Sequence, residues 1–248
     1  MRIAEHITAL ETAGRALAEA AAEAGPDAEV PTCPGWRVRD LLRHTTTVHR
    51  WATAFVVEGH TTYHPDGGEP ALDGDELLAY YREGHAGLVA ALRAAPETLE
   101  CWTFLPAPSP LAFWARRQAH ETIVHRADAE SALATGPGPV DPVSAADGID
   151  ELLCGFHGRE SSRVRTPDPR ILRVRATDTG DVWTVRLSAT EPPRTERGTQ
   201  ATATADVEFS GTAGQLHLTL WNRLPADAVT LTGDDELARL WRENSAVT

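Results

Sequence analysis

Residues 3–24, 36–58, 74–94 and 110–134 each carry apolar side chains at helical spacing, and Pro/Gly-rich breaks such as "VPTCPGW" and "HPDGGEP" separate them. Four successive helices of this length bury their apolar stripes most simply against one another, which predicts a helical bundle. The strongest linker signal, "TGPGPVDP" at 135–142, closes that half, and a short helix around 144–160 is expected after it. Beyond residue 165 the period changes. "ILRVRAT" and "VWTVRLSA" alternate apolar and polar residues around "DTGD", the pattern of a β-hairpin. A strand in "TADVEFS", a helix over 212–222, a strand in "AVTLTG" and a helix over 234–243 complete the chain. The expected class is α+β: a helical-bundle domain over 1–142 and a small α+β domain over 143–248.

At 248 residues with 42% hydrophobic content, the chain has enough apolar surface for such cores. Its 23 Lys+Arg stand against 36 Asp+Glu, a formal charge of −13, which argues against nucleic acid or an anionic membrane as the main partner. Cys33, Cys101 and Cys154 are too few and too irregularly spaced for a disulfide framework or a cysteine zinc site. The N-terminal segment carries charges throughout and reads as an amphipathic helix, and no apolar run reaches membrane-spanning length. The expected compartment is the cytoplasm.

The chemistry concentrates in "RRQAHETIVHRAD", residues 116–128. Its two histidines stand five apart, about 140° around a helix, so His120 and His125 do not share a face as the histidines of a zinc-protease helix do. Glu121 and His125, at i and i+4, do share one, together with Trp114, Arg117, Val124 and Asp128. That face is expected to point inward. On the second helix, Leu41, Val48, Trp51 and Phe55 form a core stripe interrupted by His44, whereas His49 lies about 140° away and is assigned to the flank or surface. His44, Glu121 and His125 would supply two imidazoles and one carboxylate, a three-ligand set with a position open for water or substrate. The alternative is a solvated ladder of Arg117, Glu121, His125 and Asp128, with His44 a satisfied core histidine. His120 is assigned a supporting or structural part.

The stretches "CPGWRVRDLLRHTTTVHRWA" and "RRQAHETIVHRADAE" resemble the two signatures of the mycothiol-dependent maleylpyruvate isomerase family, and "VEFSGTAGQLHLTLWNRLPADAVTLTGDDELARLWRE" is similar to that family's C-terminal domain. The resemblance spans nearly the whole chain. It implies a DinB-like four-helix bundle followed by a small domain related in shape to sterol carrier proteins. It also implies a divalent metal, usually zinc, on His44, Glu121 and His125, with mycothiol as the thiol cofactor. Arg223, in "LWNR", matches a substrate-binding residue of the family; the other reading of Arg223 is a charge neutralising the C-terminus of its helix.

The implied activity is that of an isomerase or thiol S-transferase, in which a metal-stabilised thiolate attacks an electrophilic small molecule. Arg223 is assigned a catalytic, substrate-binding role, and Arg117 and Trp51 are assigned to substrate binding. Trp51, Trp114 and Trp221 would line a pocket or else pack a core. Because one fold serves many activities, a non-catalytic metal- or ligand-binding protein stands as the alternative.

Overall fold

The computed structural model describes residues 1–200 and 203–247. Two compact units divide the chain between Gly138 and Pro139, inside the Gly/Pro segment.

The first unit holds α1 (Ile3–Ala24), α2 (Val38–Glu58), α3 (Gly74–Ala94) and α4 (Pro110–Ser131). Local signals set their ends. Asp73 caps α3 by accepting from the Gly74 N–H, and Ser109 caps α4 ahead of a proline in the first turn. Gly59 closes α2 in the left-handed region, at φ 67°. The second helix starts two residues later than its apolar pattern suggests. Gly35, at φ 88°, turns the chain there, and Glu29 and Arg37 form a β-bridge that keeps the backbone extended as far as Arg37.

In this bundle α1 packs between α3 and α4, as does α2, so α1 and α2 face each other diagonally. The core runs through Leu10, Leu17, Leu41, Leu77, Tyr81 and Leu88, all fully buried. At one end Trp51, Phe55, Trp102, Phe104 and Trp114 stack and cross edge-on, a cluster in which each ring buries a large apolar area. The fourth helix departs from expectation. It is buried on nearly every side, Ala119 and Ile123 as much as Trp114 and Val124, so it has no single inward face. Its near lack of amphipathicity in the sequence is the trace of that environment.

The second unit begins with α5 (Pro142–Asp150), which continues as a π-helical stretch, Glu151–Phe156, where a single helix to 160 was expected. A five-stranded sheet follows, built from β1 (Arg170–Ala176), β2 (Val182–Leu187), β3 (Arg194–Gly198), β4 (Val207–Gly211) and β5 (Thr230–Gly233). The strand order is β3-β2-β1-β4-β5; β1 and β4 run parallel, and the other pairs antiparallel. The expected hairpin is present, with Arg175 opposite Val182 at its turn. Leu172, Val174, Val185, Val207 and Phe209 are buried, as are Leu216 and Leu220 of α6 (Ala213–Leu220). The last helix, α7 (Asp235–Asn244), is capped by Asp234 and anchored by Trp241, whose indole N–H donates to the Leu220 carbonyl. Among the described residues no helix is long and apolar enough to cross a membrane.

Candidate metal centre

Two helices and one loop of the first unit converge on three potential ligands. From α2 comes His44, and from successive turns of α4 come Glu121 and His125. One donor atom of each lies within 4.8 Å of the others. His44 Nε2 stands 3.6 Å, and His125 Nε2 3.2 Å, from Glu121 Oε1. Atoms bound about 2.0–2.1 Å from one tetrahedral centre are about 3.3–3.5 Å apart, so these separations fit a zinc-sized ion with little adjustment. The side chains of His44 and Glu121 are 33% and 21% exposed and that of His125 is 9% exposed, so the cluster has one open edge and one closed one.

The closed edge fixes the ligands. His125 Nδ1 lies 2.8 Å from Asp128 Oδ2, and because a carboxylate only accepts, Nδ1 carries the hydrogen and Nε2 faces Glu121. Thr32, in the loop between α1 and α2, donates to the other oxygen of Asp128 at 2.6 Å. Arg117 Nη2 donates to Glu121 Oε2 at 2.7 Å, which leaves Oε1 as the oxygen turned toward the histidines. Trp36 lies against both imidazoles, its ring centroid 5.2 Å from that of His44 and 6.5 Å from that of His125.

Electrostatics agree with this geometry. Burial alone would push the Glu121 pKa up. Hydrogen bonds from His125 and His44, and the charges of His125 and Arg117, outweigh it and hold the carboxyl well below the usual carboxylate range. Burial alone would pull His125 down, yet Asp128 and Glu121 raise it to about 9. A metal taking Nε2 therefore displaces a proton.

The remaining sequence-assigned residues fall in different surroundings. Arg117 is buried with its guanidinium on Glu121, so it acts on the site through that carboxylate. Trp51 donates its indole N–H to the His64 carbonyl at 2.6 Å and lines a cavity of about 200 Å³ with Thr47, Arg50, His64 and Tyr80. It follows His44 on the same face of α2, two turns on. Trp114 is fully buried packing. Arg223 follows α6 in the second unit, and its Nη1 donates to the Trp221 carbonyl at 2.8 Å, a contact that satisfies the end of that helix.

Two histidines need comment. His120 is buried and meets the His6 ring edge-on at 5.6 Å, consistent with a structural part. His49 is not a flank residue: it is fully buried, with Nε2 2.9 Å from Thr122 Oγ1. Periodicity along one helix weighs a single packing direction, whereas α2 is covered by α3 as well as α4. Thr32 and Trp36 carry no local signal that marks them as site residues: Thr32 reaches Asp128 across 96 residues of sequence, which no local pattern records.

Comparison with known proteins extends over both units. The model of the mycothiol maleylpyruvate isomerase N-terminal domain matches residues 7–130, and that of the corresponding C-terminal domain matches 144–240. A crystal structure of the mycothiol-dependent maleylpyruvate isomerase superposes with a TM-score of 0.63 at 15% identity, covering 94% of this chain and 93% of that one. Its H52A mutant gives the same TM-score and coverage at 14% identity. No curated protein matches the sequence.

Proposed function

Because this chain belongs to the mycothiol maleylpyruvate isomerase family along both of its units, we propose that it is a metal-dependent, mycothiol-using enzyme acting on an electrophilic small molecule. The observation that carries this reading is the convergence of His44 Nε2, Glu121 Oε1 and His125 Nε2, with a buried partner behind each α4 ligand. His44, Glu121 and His125 would hold a divalent ion, zinc by the chemistry of two imidazoles and one carboxylate. Such an ion, when bound, favours thiolate over thiol and so supplies a nucleophilic sulfur at neutral pH.

The protein's own residues provide the rest. Asp128 and Arg117 hold His125 and Glu121 so that their donor atoms need not reorient when the ion arrives. Trp36 shields both imidazoles on one side, leaving approach to the half-exposed edges of His44 and Glu121. Trp51, lining the cavity along α2, offers an apolar wall to a small substrate. Arg223 is assigned to a substrate carboxylate, which its planar guanidinium can bind through two parallel hydrogen bonds. Mycothiol, when bound, would supply the sulfur nucleophile for an electrophilic carbon, with the addition reversed after bond rotation in an isomerase or retained in an S-transferase. We place the protein in the cytoplasm, where low-molecular-weight thiols are kept reduced.

Metal analysis and cobalt substitution test the proposal together. One divalent ion per chain is expected, lost in His44→Ala and His125→Ala. Mycothiol added to the cobalt form is expected to produce sulfur-to-metal charge-transfer absorption. Full occupancy in His44→Ala would refute the ligand set. Metal binding without any spectral response to thiol would favour a non-catalytic metal-binding protein on this fold.

A further inference from the structure

We propose that Asp128 is a positioning residue of the metal centre and that the loop joining α1 to α2 sets it through Thr32. The inference rests on the metal reading above and deepens it, because it assigns the site's geometry to a segment that contributes no ligand.

Asp128 is a fully buried carboxylate, an arrangement that is strongly unfavourable unless its oxygens are well paired. One oxygen meets His125 Nδ1 at 2.8 Å and the other meets the Thr32 hydroxyl at 2.6 Å. The first contact fixes the tautomer and plane of the imidazole and raises its basicity as a ligand. The second fixes the carboxylate: with Oδ1 tied to the loop, Oδ2 cannot swing away from His125 without breaking a charge-assisted bond. Ser131 donates to the Asp128 carbonyl at 2.6 Å, so the backbone beneath this carboxylate is tethered too.

The loop is itself preorganised. The Val30 N–H donates to the Trp36 carbonyl, the Cys33 N–H to the Val30 carbonyl and the Trp36 N–H to the Cys33 carbonyl, each at 2.9 Å. Gly35, at φ 88°, permits the turn. Thr32 and Trp36 are therefore carried on one closed turn, the first latching Asp128 and the second lying 18° from the plane of the His125 ring. The same five-residue stretch thus reaches His125 twice, indirectly at Nδ1 through Asp128 and at the ring face through Trp36, 6.5 Å away between centroids.

Zinc affinity measured by competition with a chromogenic chelator tests this, alongside the melting temperature of the metal-free proteins. Asp128→Asn, which keeps the shape and removes the charge, is expected to weaken zinc binding about 10–100-fold. Thr32→Val is expected to weaken it in the same direction by less, with its metal-free melting temperature close to that of the parent. A purely structural Asp128 predicts the reverse: a lower metal-free melting temperature with unchanged affinity, and that result would overturn the proposal. Should Asp128→Asn fail to fold, Thr32→Val decides alone, since parental affinity there removes the loop from the site. A parent protein that binds no zinc refutes the metal centre itself, which is distinguishable from either outcome.

Discussion

His49 and His125 are buried in the same bundle, and their surroundings drive them in opposite directions. His125 faces two carboxylates and is raised to about 9; His49 faces a hydroxyl and, at a distance, other histidines, and burial with the nearby His85 charge lowers it to about 3. The consequence for stability follows from linkage. Between about pH 6.5 and 3 the unfolded chain protonates this imidazole while the folded protein does not, so stability falls as pH drops through that window and is unaffected above it. One such group contributes a slope of about 1.4 kcal/mol per pH unit. His157, lowered to about 4 by its burial, adds a loss of the same sign. Urea unfolding of His49→Gln between pH 4 and 7 should show a shallower decline than the parent. An identical slope would mean that His49 takes up its proton as readily in the folded protein as in the unfolded chain. Glu121 and His125 share a face through the local i, i+4 relation and His44 interrupts the apolar stripe of its own helix, so periodicity alone could propose them as candidates. It could not judge His49, whose burial depends on a third helix.

At the scale of elements, close approach between helices is written in small residues. A Cβ at Gly14 of α1 would fall 2.2 Å from His85 Nε2 of α3, and that imidazole donates its Nε2–H to the Leu10 carbonyl at 3.1 Å. Gly14→Ala must therefore displace a buried side chain and is expected to cost about 1–3 kcal/mol. Gly87, exposed on the same α3, has open space around its Cβ, and Gly87→Ala should stabilise by about 0.4–1 kcal/mol through helix propensity and the unfolded state. Thermal melts of the two variants should move in opposite directions; a tolerated Gly14→Ala would show that α1 and α3 pack more loosely than their contact implies. The four bundle helices were legible in the sequence because apolar residues at helical spacing run between Pro/Gly-rich breaks, although the start of α2 depends on the Glu29–Arg37 bridge. Strand β3 was not. None of its residues, from Arg194 to Gly198, is buried, so it carries no alternation, and only backbone pairing to β2 makes it a strand. The ligand-holding loop was invisible for a related reason: Thr32 gains meaning only once Asp128 is brought beside it.

For the whole molecule, the division at Gly138 means that the proposed metal ligands lie in one unit and Arg223 in the other. A ligand that binds only the folded state stabilises it by mass action, about 2.7 kcal/mol at a hundred times its dissociation constant. Zinc should accordingly raise the melting temperature and chelation should lower it, a shift that reports an intact centre without reference to turnover. With two compact units a single two-state transition is not guaranteed, so the shift is best followed by calorimetry. That readout makes Arg223 testable. Arg223→Lys keeps the positive charge and can still neutralise the end of α6, where the arginine now donates to the Trp221 carbonyl. It loses the paired donors that match a carboxylate. If Arg223 binds substrate, the lysine variant should retain the full zinc-induced shift while kcat/KM on an anionic electrophile falls about 10-fold or more, the loss of one charge-assisted hydrogen bond. Unchanged kcat/KM would reduce Arg223 to its contact with Trp221, and loss of both the shift and the activity would point to a general disturbance of the fold.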